Sequence, residues 1–219
     1  MLFISSVAGA ETQWNVGISG GSEGISGFHV SVGNYYRVPD REVVIVRERG
    51  IPEEELPVVF FLCQHARVSP DVVISLRSRG FSWYDITIQL GLTPEIYYVP
   101  VASYKDGRPY GHAYGHYRNH PKEKWSKAKF TDAEIVNQVN LEFISKQYGY
   151  DPVRVMKMRE MGTSFTTIER KVSREKERGG RENSREVNSR SIRSTGHEGK
   201  GKDRNEDRIP PGQRKKMND

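Results

Sequence analysis

Three histidines spaced four residues apart form the group in this 219-residue chain that most resembles a metal site. On a helix, His112, His116 and His120 would share one face, and imidazole nitrogens are common ligands of Zn²⁺ and Ni²⁺. Gly111 and Gly115 argue against a helix there, because glycine destabilises helix interiors. The alternative to a metal site is a loop whose histidines pack on neighbouring helices or face the solvent.

The surrounding segment, residues 102–131, has the composition of a loop that binds polyanions. Between Lys105 and Lys129 it contains seven basic and two acidic residues, interleaved with aromatic ones. Aromatic rings stack on bases or sugars while nearby cations meet phosphates. The residues predicted to contact a polyanion or a protein partner are Tyr104, Arg108, Tyr110, Tyr114, Tyr117, Arg118, Lys122, Lys124, Trp125 and Lys127. A solvated loop without such a role is the alternative.

Other groups that could do chemistry have plainer interpretations. The consecutive glutamates at 53, 54 and 55 would suit acid–base or metal chemistry, but they follow Pro52 at a helix start, where carboxylates favour the helix dipole. Cys63 is the single cysteine and lies in an apolar stretch, which indicates a buried, inert thiol. Neither a His-Glu-x-x-His motif nor a phosphate-binding Gly-Lys-Ser/Thr is present. We therefore expect a protein that is not an enzyme and holds no cofactor.

The elements that must position these residues are helices, because one pattern occurs three times in the chain. The pattern is a valine, an apolar residue three later, an arginine, a glycine and then Pro or Ser. The copies are Val43, Val46, Arg47, Gly50, Pro52 and Leu56; Val73, Leu76, Arg77, Gly80, Ser82 and Ile86; and Val155, Met158, Arg159, Gly162, Ser164 and Ile168. The apolar spacing lines one helical face, and the glycine ends the first helix before Ser or Pro begins the next.

The arginine of each copy, Arg47, Arg77 or Arg159, stands in the last turn of the first helix. A cation there opposes the helix dipole and its stem covers apolar surface, so we interpret it as structural rather than as part of a ligand site. Residues 59–86 also align with residues 141–168. This alignment predicts two halves of helix, turn, helix, turn and helix, in residues 39–101 and 132–170.

The N-terminal residues differ from these helical halves. Residues 1–10 run from apolar to small side chains, with Ala8 and Ala10 at the −3 and −1 positions of a signal-peptidase site. They predict a truncated signal peptide and a periplasmic or secreted protein; a buried first strand in a cytoplasmic protein is the alternative. Residues 11–38 contain two alternating apolar runs around a glycine-rich stretch, which predicts a β-hairpin with His29 exposed on its second strand.

The C-terminal residues carry the positive charge of the chain. Residues 170–219 contain 16 Lys/Arg and 9 Asp/Glu, whereas residues 1–169 have a net charge of −1. Few apolar residues and no aromatic ones follow Arg170, so residues 171–219 are predicted to be a disordered basic tail. No stretch of the chain approaches the apolar length needed to cross a membrane.

Two resemblances bear on function. The spacing from Leu76 to Pro94 is similar to that of repressor- and transposase-type helix-turn-helix units, although residues 94–101, which would enter the groove, contain no Lys, Arg, Asn or Gln. Residues 12–170 resemble a group of uncharacterised exported bacterial proteins. The shared features are a Trp-Asn-Val-Gly strand at 14–17, a Gly-Phe-His-Val-Ser-Val-Gly strand at 27–33, an acidic helix start at 52–59 and a charged tail. The second resemblance implies export and brings no activity.

We thus expect a mainly α-helical fold of repeated helix–Gly–helix units, preceded by a short β-hairpin and followed by a disordered tail. The expected function is that of a non-enzymatic, exported or envelope-associated interaction protein that contacts a polyanion or a protein partner. An intracellular nucleic-acid-binding helix-turn-helix protein is the alternative, and metal binding at the histidines ranks third.

Overall fold

Helices form all the regular structure in the part of the chain that is described. The computed structural model describes residues 27–101 and 107–195, with side chains as far as residue 181. The α-helices are α1 (Gly27–Tyr36), α2 (Asp40–Glu48), α3 (Leu56–Ala66), α4 (Pro70–Ser78), α5 (Trp83–Gln89), α6 (Gly111–Asn119), α7 (Asp132–Tyr148), α8 (Pro152–Glu160) and α9 (Phe165–Thr195). Short 3₁₀ turns occupy Glu53–Glu55, Pro94–Tyr97 and Lys122–Lys127. The prediction of a mainly α-helical chain is confirmed.

The repeated pattern corresponds to three nine-residue helices, α2, α4 and α8. Each ends before a glycine in the left-handed region, with φ of 88° at Gly50, 89° at Gly80 and 82° at Gly162. In all three places the glycine N–H donates to the carbonyl of the arginine three residues earlier, at 2.9 Å. Residues 41–47, whose Val and Ile content would also suit a strand, are helical, as the repeat alignment predicts.

The repeating unit begins one helix earlier than the sequence pattern suggests. Helices α1, α3 and α7 precede the nine-residue helices, and each is followed by one left-handed residue: Arg37 at φ 57°, Arg67 at φ 56° and Gly149 at φ 64°. The next N–H then donates to a carbonyl five residues earlier, at 3.0, 3.2 and 2.9 Å respectively. The unit is therefore a helix, a left-handed residue, a nine-residue helix and a glycine.

The predicted second strand of the N-terminal hairpin is wrong, because residues 27–36 form α1. Phe28 and Val32 fit strand alternation, but with Tyr36 they also recur every four residues, and all three are buried on one helical face. The Phe28 ring lies 5.7 Å from that of Phe143 on α7, so packing against the core selects the helix. His29, expected on an exposed strand face, is 2 % exposed. The first strand and most of the glycine-rich stretch lie outside the described residues.

The core lies where α1, α3 and α7 pack against one another. Residues 56–62 of α3 are all buried, in line with its nearly continuous apolar sequence. Helix α7 buries polar side chains as well, among them Asn140, whose amide donates to the carbonyls of Glu54 at 2.8 Å and Val136 at 2.9 Å. Such bonds are needed because an unpaired buried amide is costly. None of the helices described here is both long and apolar enough to cross a bilayer.

The chain divides into a unit that ends at Ser173 and a second unit that begins at Arg174. Helix α9 begins in the first unit, where Phe165, Ile168 and Val172 are buried. In the second unit its backbone is helical to Thr195, and side chains 174–181 are exposed. Residues 171–195, which the composition assigns to the tail, are thus helical, Gly179 and Gly180 included. Residues 196–219 lie outside the described residues.

Candidate interaction surface

The segment predicted to be a loop contains helix α6 and the 3₁₀ turn Lys122–Lys127. Gly111 is the first residue of α6, where its effect on the helix is small, and Ala113, Tyr114 and Tyr117 recur at helical spacing with their side chains buried. Burial of this face outweighs the low helix propensity of Gly115. Residues 102–106, which include the predicted contact Tyr104, lie outside the described residues.

The aromatic side chains of this segment face the core rather than the solvent. Tyr110, Tyr114 and Tyr117 are each less than 10 % exposed, and the Tyr114 hydroxyl donates to the Val99 carbonyl at 2.7 Å. Burial also raises the pKa of Tyr117 far above its ordinary value. Trp125 is half-buried, and its indole N–H lies 3.1 Å from the Tyr117 carbonyl. In this structure Tyr110, Tyr114 and Tyr117 are packed in the core, and stacking on bases or sugars would require these rings to be exposed.

The cations of the same segment face the solvent instead. The exposed cations, which we name the cationic surface, are Arg108, Arg118, Lys122, Lys124, Lys127 and Lys129. All except Lys129 belong to the predicted contact residues. Glu123 adds one exposed negative charge to the six positive ones, so the net charge of the surface stays strongly positive. Aromatic residues inside and cations outside leave a surface suited to electrostatic contact alone.

The three histidines do not converge on one point. The rings of His116 and His120 stack with centroids 4.3 Å apart, whereas His112 Nδ1 lies 2.6 Å from Glu134 Oε1 on α7. Within the described residues, no three His, Cys, Asp or Glu side chains are arranged to hold a metal ion. Helix α6 thus places the histidines on a helical face, but His116 and His120 stack on each other, whereas His112 is paired with Glu134.

A groove lies between α6 and the start of α7. Its volume is about 770 Å³, and its lining includes Arg108, His112, Lys129, Phe130 and Glu134. Glu134 also accepts from the backbone N–H of the N-cap residue at 2.9 Å and so completes the capping box of α7. This role of Glu134 is not among the predictions made from the sequence, although a Thr-x-x-Glu pattern before an apolar run is its signal.

Two of the three repeated arginines connect the halves of the fold. Arg77 donates to Asp132 at 2.5 Å and to Glu55 at 3.1 Å, and its guanidinium carbon lies 4.4 Å from the ring centre of Trp83. Arg47, by contrast, is exposed. The structural interpretation therefore applies to Arg77 through its ion pairs and its stacking.

Arg159 repeats this arrangement in the third copy. Its guanidinium lies 3.4 Å from Glu54 and donates to the Asn137 side chain at 3.1 Å. The guanidinium carbon is 4.5 Å from the ring centre of Phe165. A cation over an aromatic face is a stabilising arrangement, stronger where water is partly excluded.

The glutamates of Glu53–Glu55, which we name the acidic turn, link distant parts of the chain. Glu53 lies 3.2 Å from His29, Glu54 accepts from the Phe165 backbone N–H at 2.6 Å, and Glu55 accepts from the Trp83 indole at 3.0 Å. No side-chain capping bond is formed at the start of the turn or of α3. All three glutamates lie in the first turn, as the helix-dipole interpretation expects, and their side chains in addition bind distant parts of the chain.

In the second copy, the elements that a helix-turn-helix would place in a DNA groove, residues 83–101, expose no cation. Of the segment expected to enter a groove, Pro94–Tyr97 is a 3₁₀ turn in which Pro94 and Tyr97 are buried. The exposed side chains of α5 are Asp85, Ile88 and Gln89, which bring no positive charge. No protein-family model, curated protein or solved structure matches the chain.

Proposed function

We propose that this chain is a non-enzymatic interaction protein that contacts a polyanion through its cationic surface. The observation that supports the proposal is the separation of side chains within residues 107–129. The tyrosines are buried in the core, while the side chains of the six cations are exposed to solvent. Binding of this kind releases counterions, so it depends steeply on salt and little on the sequence of the polymer.

We further propose that the protein is exported or associated with the cell envelope, where anionic polymers are its partners. The small residues Ala8 and Ala10 support export, because a signal peptidase cleaves after such a pattern. Intact mass and cell fractionation of the protein expressed from its own locus test this. A mature chain that begins at Glu11 outside the cytoplasm supports export, and a cytoplasmic chain that retains Met1 overturns it.

The polyanion contact is tested with dextran sulfate, using neutral dextran as the control ligand. A variant with Arg118, Lys122, Lys124 and Lys127 changed to glutamine should bind dextran sulfate more weakly. Its dependence of log affinity on log salt should be shallower by about 1 for each contacting cation that is removed. Binding measured by titration calorimetry at several salt concentrations provides both quantities.

The matched control changes four exposed arginines of the first two repeating units, Arg37, Arg41, Arg47 and Arg67, to glutamine. It alters the net charge by the same amount and should leave most of the binding intact. Equal losses in the two variants would show that net charge alone governs binding, and the cationic surface would then have no special role. Equal binding of dextran and dextran sulfate would overturn the proposal.

A further inference from the structure

The second and third copies of the repeat have the same local backbone from α4 or α8 into the first turns of the next helix, so the side chains of this part can be compared position by position. The pattern of hydrogen bonds that ends α4 recurs at the end of α8: Arg79 N–H donates to Ser75 O at 3.3 Å, and Met161 N–H donates to Lys157 O at 3.2 Å. The helices that follow begin with equivalent bonds of 2.9 Å to the carbonyls of Ser82 and Ser164. Differences between the copies therefore lie in side-chain chemistry.

The three copies differ strongly in charge. Residues 40–59 contain three basic and six acidic residues, residues 70–89 contain two of each, and residues 152–171 contain five basic and two acidic residues. The net charge thus runs from −3 through zero to +3. One of the two acids in the third copy, Glu169, is buried and accepts from Ser31 at 2.6 Å, so the exposed charge of this copy is more positive still.

The added cations occupy exposed positions that are neutral in the second copy. The replacements at equivalent positions are Val72 by Arg154, Ser75 by Lys157, Ile88 by Arg170 and Gln89 by Lys171, and all eight side chains are exposed. Asp85 is likewise replaced by the exposed Thr167, which removes a negative charge. An acid is introduced at one exposed position, where Glu160 replaces Ser78.

We propose that α8, the four-residue turn 161–164 and the start of α9 form a helix-turn-helix that binds double-stranded DNA. A short turn that contains glycine is typical of this motif, and its second helix enters the major groove, which is wide enough to admit a helix. The first turns of α9 present Thr167, Arg170 and Lys171. Hydroxyl and cationic side chains of this kind contact phosphates and base edges.

The proposed helix-turn-helix is a surface through which the chain would bind nucleic acid. Its DNA binding does not rest on the proposed contact between the cationic surface and an envelope polymer. The two surfaces have no residue in common. The second copy lacks the four added cations, although it has an exposed Arg79 where the third copy has Met161, and it serves as an internal reference for the third.

The test exchanges the two copies in the full-length chain. One variant gives the third copy the neutral residues of the second, as Arg154→Val, Lys157→Ser, Arg170→Ile and Lys171→Gln together. The reciprocal variant places the cations on the second copy, as Val72→Arg, Ser75→Lys, Ile88→Arg and Gln89→Lys. Binding to a fluorescent duplex of about 20 base pairs is followed by anisotropy between about 50 and 200 mM salt. Residues 174–219 are unchanged in every protein, so their contribution is the same throughout.

The first variant should bind the duplex more weakly, with a salt dependence shallower by about 0.9 for each phosphate that the protein no longer neutralises. The reciprocal variant should bind more tightly, with a steeper dependence. Unchanged affinity and slope in the first variant would overturn the inference, as would equal binding of the matching single strand or no binding by the wild-type chain. If the fourfold variant melts early by circular dichroism, Lys157→Ser and Lys171→Gln are compared singly in its place.

The variant that lacks four cations of the cationic surface should keep its affinity for the duplex. If it alone loses duplex binding, the DNA contact lies on that surface and the inference fails, whatever the result with dextran sulfate. Loss of dextran sulfate binding in that variant, together with loss of duplex binding in the first, would support both proposals separately.

Discussion

Arg77 and Arg159 make the same contacts at equivalent positions of the second and third copies. Each guanidinium lies over the aromatic ring six residues later, at 4.4 Å from Trp83 and 4.5 Å from Phe165. Each also donates to the carbonyl four residues later, at 3.1 and 3.3 Å. In the first copy the position of the ring is occupied by Glu53, and the corresponding arginine is exposed.

Replacing Arg77 or Arg159 with methionine should lower the free energy of unfolding by about 2–3 kcal/mol. Methionine keeps much of the apolar stem, but it leaves partly buried carboxylates without their cation and removes the stacking. Urea unfolding followed by circular dichroism measures the change. Arg47→Met is the matched control and should change the free energy by less than about 0.5 kcal/mol. A loss at Arg47 equal to that at Arg77 would contradict the structural distinction between the copies.

Gly80 and Gly162 should be sensitive to alanine, because both have a φ that L-residues adopt only at a cost. Each substitution should reduce the free energy of unfolding by about 1–2 kcal/mol. Gly115→Ala provides the opposite expectation. It lies inside α6, and a Cβ added there would meet no atom within 4 Å, so alanine should stabilise the protein by about 0.5–1 kcal/mol. Thermal melts distinguish the two, and destabilisation of equal size at all three glycines would refute the assignment of the turns.

Acid should weaken the fold through His29. Burial lowers the pKa of His29 below its ordinary value, although the neighbouring Glu53 acts in the opposite direction. Below a pH of about 6.5 the histidine therefore binds a proton more readily in the unfolded chain than in the folded one. Stability is lost as the pH falls. The urea midpoint should drop between pH 7 and pH 5, and His29→Gln should flatten this dependence. His120→Gln, at an exposed histidine, should retain it; a flat profile in the wild-type protein would exclude the mechanism.

The thiol of Cys63 should react slowly in the folded protein. Burial raises the pKa of Cys63 to about 12, so at pH 8 only about one molecule in ten thousand carries the reactive thiolate. Labelling with an aromatic disulfide reagent should be roughly a thousandfold faster in urea than in buffer, since unfolding restores an ordinary thiol. The chain has a single cysteine, so the absorbance change reports this site alone. Fast labelling without urea would show that the α3 face is open.

The parts of the fold that the sequence predicts well are those with local signals. Glycines that end helices and serines that begin them act within a few residues of themselves. Ser82 illustrates this, since its hydroxyl accepts from the N–H of Asp85 at 3.0 Å and completes a capping box. The repeat alignment adds support that no single segment could supply, because three copies must adopt one local structure.

The sequence predicts a strand in place of α1 because the apolar residues there satisfy both periods. Phe28 and Val32 are four residues apart, which suits a helix, and two steps of alternation apart, which suits a strand. The choice depends on packing against Phe143, which lies far along the chain. A local signal is nevertheless present: Arg37-Val38 recurs as Arg67-Val68, each pair beginning six residues before the repeated valine.

The candidate site is predictable only in part, because composition does not report direction. Tyr110, Tyr114 and Tyr117 have the four- and three-residue spacing of a helical face, yet their composition alone suggests a binding loop. The partners of the acidic turn could not be predicted at all. They lie as far as 111 residues away along the chain, and only the folded structure brings them together.

The acidic turn has a consequence for how the protein unfolds. In solenoid repeats each unit touches only its neighbours, so such proteins can fray unit by unit. Here one three-residue turn contacts the first helix through His29, the second copy through Trp83 and the third through Phe165. Loosening any one copy therefore disturbs the anchor of the other two, and the repeats should melt together in a single cooperative transition.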